Sequence, residues 1–180
     1  MICAAPAYSF AGRTAYSGEV RFVQSTRSHL QTSYAPGLIA GAVGGILIDA
    51  YLLVTVVAVA HRTTVAGFYQ FVASSAIGRA AYGEPQAVLL GIALHALVSV
   101  AWGFGFAYVA VRTPQIAARP LTSGIVYGIV VMLAMQLVEV AANVYTLPDT
   151  FTLLNSFVAH TLFFGIPIAY VVVRRLGTPS

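Results

Sequence analysis

Lysine is absent from the chain, and its positive charge rests on nine arginines alone. That bias reads as the codon preference of a GC-rich genome, and no basic stripe interleaved with aromatics accompanies it, which excludes a nucleic-acid surface. Cys3 is the single cysteine, so an intramolecular disulfide or a cysteine-based metal knuckle cannot form. Charged side chains of either sign make up only 8% of the chain, too few to coat a water-soluble globule. No nucleophile elbow, phosphate loop or zinc-protease helix motif occurs, so the chain is not expected to be an enzyme.

What is present in quantity is apolar. Hydrophobic residues account for 59% of 180 positions, and mean hydropathy is +0.85. Crossing a hydrocarbon core of about 30 Å takes roughly 20 helical residues. Four stretches meet that length, near residues 38–60, 86–111, 121–145 and 151–173. Each is bounded by a breaker or a charge: Pro36 and Arg62, Pro85 and Arg112, Pro120 and Pro148, Asp149 and Arg174. A fifth apolar piece, residues 68–77, is too short to span and predicts a short outer helix lying in the interface or dipping into the bundle. The expectation is an all-α polytopic membrane protein, four transmembrane helices in an up-down bundle. At this length there is no room for a separate soluble domain.

Positively charged loops stay on the cytoplasmic side. Arg13, Arg21, Arg27, Arg112, Arg119, Arg174 and Arg175 share one side, against Arg62 and Arg79 on the other, where Glu84 and Asp149 offset them. Both termini are therefore expected inside, in the inner membrane of a bacterium. Residues 1–35 are polar, without the apolar core and cleavage site of a secretory signal, and predict a mobile cytoplasmic tail or a misassigned start. Residues 176–180 form a short carboxyl-terminal tail.

The two halves read as copies of a helical hairpin. Pro36, Gly41 and Gly45, then His95 and "AYVAVR", are echoed by Pro120, Gly124 and Gly128, then His160 and "AYVVVR". Two crossings per unit would make this a parallel tandem repeat. Gly37, Gly41 and Gly45 in the first helix and Gly124 and Gly128 in the third present small faces through which backbones approach closely. Contact inside the same bundle is the preferred reading of these faces, with a dimer interface as the alternative.

Ionisable groups at membrane depth are costly and therefore informative. Each helix carries one: Asp49, His95, Glu139 and His160. Counted from the outer ends, Glu139 lies roughly 9 Å deep, both histidines roughly 13 Å and Asp49 roughly 17 Å. Ser99, Ser156, Gln136 and Asn143, one turn from these groups, extend the polar faces. Three readings follow. Imidazole–carboxylate pairing fixes helix register; a histidine–carboxylate chain conducts protons or a small solute; or His95 and His160, at matched depth, ligate haem or join the carboxylates around a metal. No cofactor is required by the first two. Trp102 reads as core packing, Pro167 as a kink after Gly165, Tyr145 as an aromatic-belt residue, and His61 and Arg62 as solvated.

The run "FYQFVASSAIGRAAYGEPQAVLLGIALHALVS", with "GIVYG" and "AHTLFFGIPIAY" after it, resembles the small bacterial inner-membrane proteins of the YagU-like type. The resemblance covers residues 36–175, and the "YGEPQ" loop departs from it. It implies a four-helix membrane fold and transfers no catalytic residue. The function expected is that of an accessory or envelope-stress membrane protein, with a small transporter and a bis-histidine haem or metal protein as alternatives. Its partners are the bilayer and no nucleic acid; a chain this small commonly needs copies of itself to form a pathway, which admits a homo-oligomer.

Overall fold

A computed structural model describes residues 35–142 and 148–177. The amino-terminal tail, Asn143, Tyr145 and residues 178–180 lie outside the described residues. The described chain is helical and without strands, and four of its helices are long and apolar enough to cross a membrane. They are α1 (Ala35–Val59), α3 (Pro85–Arg112), α5 (Pro120–Ala141) and α6 (Thr150–Gly177). Leucine and isoleucine side chains stand on the outside of these helices, with Ile46 70%, Leu89 72% and Leu137 69% exposed. Such a surface suits a lipid environment. The chain is a multi-pass helical membrane protein.

Local chemistry sets the element ends. The outer helix α2 runs over Val65–Ile77, three residues earlier than the sequence pattern suggested, because Thr64 caps it by accepting the Gly67 N–H at 3.0 Å. It stops at Gly78, whose φ of 67° suits glycine. A 3-10 turn over Gly78–Ala81 leads on to Pro85, which opens α3. Pro114 starts the short α4 (Pro114–Ala117), and Pro120 starts α5. Asp149 caps α6, its Oδ1 accepting the Thr152 N–H at 2.8 Å.

Two spans are not regular throughout. α1 widens into π-helical turns over Leu53–Val59, and α6 does so over Ala159–Gly165. In α6 the widening immediately precedes Pro167, which has no N–H for the i−4 carbonyl and whose ring crowds it, so a wider turn relieves the clash. A hydroxyl bonds back to the i−4 carbonyl in each: Thr55 to Tyr51 O at 2.9 Å and Thr161 to Phe157 O at 2.6 Å.

Glycine brings the spans together. A Cβ at Gly41 would meet the Ser99 carbonyl and Val100 Cα of α3, and one at Gly37 would meet Phe104 and the Gly103 carbonyl. In the other hairpin, Gly124 lies against Gly165 and Ile166 of α6, and Gly128 against His160 and Thr161. The small faces are thus occupied within the bundle by Gly103 and Gly165, which the sequence reading left unassigned. Gly45 faces the Ser99 side chain. Beneath this seam Ile48, Phe106, Val131, Phe164, Ile168 and Val172 form the core, with Trp102 and Tyr127 against it.

Candidate intramembrane site

One backbone contact places α2. A Cβ at Gly91 of α3 would run into the Tyr69 carbonyl, so only glycine lets the outer helix lie this close. Ala73 of α2, Ala81 and Ala87 of α3 complete a small buried cluster there. With its backbone fixed, α2 points Tyr69 at Asp49 and sets the Phe68 ring edge-on to His95 at 6.4 Å between centroids.

His95 Nδ1 lies 2.6 Å from Asp49 Oδ1, and Tyr69 donates to Asp49 Oδ2 at 3.3 Å. The imidazole–carboxylate contact is close but bent, since the buried Oδ1 has no hydrogen bond of regular geometry. A carboxylate oxygen only accepts, so a neutral His95 in this contact carries its proton on Nδ1 and its lone pair on Nε2. His160 reaches the same state by another route. Its Nδ1 lies 2.8 Å from the Ser156 carbonyl on its own helix and 3.3 Å from Ser156 Oγ. The carbonyl accepts, and Nε2 again keeps the lone pair.

The halves of the spans nearest α2 enclose a cavity of about 650 Å³. His95 of α3, Gln136 and Glu139 of α5, and Asn155, Ser156 and His160 of α6 line it, and Arg62 joins them from the link after α1. The remaining wall is mostly apolar, including Leu52, Phe68, Phe71, Val98 and Met135. No side chain among the described residues bonds to the Glu139 carboxylate. Asn155 is held from α1, its Oδ1 accepting the Tyr51 hydroxyl at 2.9 Å, while the Tyr51 ring stacks on Phe163 at 4.3 Å.

Arg62 donates from Nη1 to Asp149 Oδ2 at 2.5 Å, and its guanidinium lies 4.4 Å above the Phe151 ring. The Arg62 hydrogen bond, followed by that from Thr152 N–H, lowers the Asp149 carboxyl to about 2. Arg62 is exposed, as expected, and its pairing with Asp149 also joins the link after α1 to the start of α6.

Of the four sequence-predicted ionisable groups, His95, Glu139 and His160 line the cavity, whereas Asp49 stands behind His95. Gln136 and Ser156 share the wall. Ser99 does not extend a polar face: it is buried in the glycine seam against Gly45. The expectation that both imidazoles pair with carboxylates holds for His95 alone, since His160 bonds to its own helix. Among the described residues no three of His, Cys, Asp and Glu converge to hold a metal ion. Tyr69, Asn155 and Tyr51 were missed; a hydroxyl or amide in an apolar helix was the available signal for each.

The chain matches no family model, no curated protein and no solved structure. Fold and site therefore define only a class, a helical multi-pass membrane protein with a mostly apolar cavity within its spans that carries a few ionisable groups. The particular reading must come from the cavity's own residues.

Proposed function

We propose that the chain is a small carrier of the bacterial cytoplasmic membrane, binding a small solute in the α2-covered cavity with exchange of a proton. One observation carries this reading: three spans, far apart in sequence, each contribute an ionisable side chain to the same cavity wall. Two are imidazoles, and the third is a carboxylate with no bonded partner among the described residues. Such groups are costly in lipid and change protonation readily, which suits proton-coupled binding. The arginine distribution supports a cavity opening outward. Arg112, Arg119, Arg174 and Arg175 gather at the opposite ends of the spans, whereas Arg62 is neutralised by Asp149.

Asp49 and His95 also support a structural reading of their own contact, as a tie between α1 and α3. An accessory role in envelope stress has no residue to carry it, so the carrier takes precedence. The test is proton flux in proteoliposomes loaded with a pH-sensitive dye. Glu139→Gln and His95→Phe are expected to accumulate and to lose flux; flux equal to the parent in both variants would reject the carrier.

A further inference from the structure

The charges around the cavity do not balance. Arg62 is held by Asp149 and stacked on Phe151, so its charge is already answered. His95 faces Asp49, with Tyr69 on the second oxygen, and His160 donates its Nδ1 proton to the Ser156 carbonyl. Tyr82 is the remaining titratable group on the wall. What is left is the Glu139 carboxylate, unbonded among the described residues, on a wall otherwise mostly apolar.

We infer that this cavity takes a lipophilic organic cation, an aromatic amine or onium, whose charge Glu139 meets and whose apolar groups lie against Phe68 and Phe71. The inference rests on the carrier reading, in that the cavity is the ligand site. An anion would find Arg62 engaged and Glu139 opposing it, and a neutral molecule would leave the carboxylate unanswered in an apolar wall. A cation meets the carboxylate and is attracted to ring faces as well. A volume of about 650 Å³ is that of a pocket for a drug-sized molecule. Glu139 carries either a proton or the cation, so each displaces the other, and this competition is the coupling a carrier needs.

Equilibrium dialysis of the detergent-purified chain tests this with tetraphenylphosphonium and its anionic near-isostere tetraphenylborate, each read against a protein-free detergent blank. Saturable binding of the cation is expected, weakened by about tenfold or more in Glu139→Gln and retained in Glu139→Asp. The anion should show no saturable site. Acidification should weaken the cation in the unmodified protein, since a proton on Glu139 removes the charge that holds it. This profile serves if Glu139→Gln fails to fold. Equal binding of the anion, unchanged cation affinity in Glu139→Gln, or a flat pH profile would overturn the cation assignment. Proton flux, measured separately, then decides whether the carrier reading falls with it.

Discussion

In the first hairpin Gly37 and Gly41 of α1 meet Gly103 of α3; in the second, Gly124 and Gly128 of α5 meet Gly165 of α6. The step from Gly37 to Gly41 equals that from Gly124 to Gly128, and Gly103 stands as far before Arg112 as Gly165 does before Arg174. Beyond that level the hairpins diverge by one residue. Gly41 faces the Ser99 carbonyl and Gly128 the His160 carbonyl, and α6 fits its extra residue into the π-helical turns of Ala159–Gly165. Along the seam His160 therefore stands where Ser99 stands, and Ser156 stands where His95 does. In the register of the seam the two imidazoles are not counterparts: the same histidine–serine pair, one helical turn apart, is inverted between the hairpins. Asp49, in the same register, falls opposite Gln136. A shared backbone seam thus carries polar groups that were placed independently. The first hairpin closes its carboxylate with His95 and Tyr69, and the second leaves Glu139 open to the cavity.

The largest test bears on what the hairpins share. Gly103→Val and Gly165→Val each force a branched side chain into the backbone of the partner helix, and each should destabilise by about 2–3 kcal/mol. Thermal unfolding in detergent reads this. Unequal losses would break the equivalence of the two seams. A smaller effect bears on what they do not share. Asp49→Ala removes the partner of a half-buried imidazole and should cost about 1 kcal/mol, whereas Glu139→Gln breaks no bond and should leave the midpoint unchanged or slightly raised. Equal destabilisation by both would mean that Glu139 is as structural as Asp49.

Why the bundle was legible and the site only in part follows from the length scale of each signal. Four runs of about 20 apolar residues bounded by Pro36, Pro85, Pro120 and Arg174 integrate over a whole membrane thickness, and no tertiary contact reverses them. Capping by Thr64 and the close approach at Gly91 depend on one residue each, so the start of α2 was misjudged. The glycine faces were visible as i, i+4 steps, but their partners Gly103 and Gly165 are single glycines on other helices, recognisable only once helices are paired. Matching His95 to His160 failed for a definite reason. Aligning Pro36 with Pro120 sets the glycines of α1 against those of α5 one turn out of register, and the extra residue near Pro167 is invisible without the helix geometry. Asp49, His95, Glu139 and His160 could be named from lipid cost alone; which carboxylate would find a partner could not, since that is decided by Tyr69 on a helix that does not cross the membrane.

The smallest expected effect concerns the exposed contact between the two hairpins made by Arg62 and Asp149. Asp149 has a folded-state value of about 2 against an ordinary 3.8, held down first by Arg62 and then by Thr152. A depressed carboxyl contributes stability that is complete above the ordinary value and is lost as pH falls toward the folded one. The melting temperature should therefore decline between about pH 4 and pH 2, beyond any background shared by the variants. Asn is as good an amino-terminal cap as Asp. Asp149→Asn thus keeps the bond to Thr152 while deleting the charge, and its extra decline in this window should vanish. Because both side chains are exposed, added salt should shrink the difference between parent and variant at pH 6 by screening. A parent protein whose midpoint does not respond to acid in that window would show that Arg62 and Asp149 touch without holding the hairpins together, a task then left to Tyr51 with Asn155 and Phe163 and to Gly44 against Ile168 and Phe164.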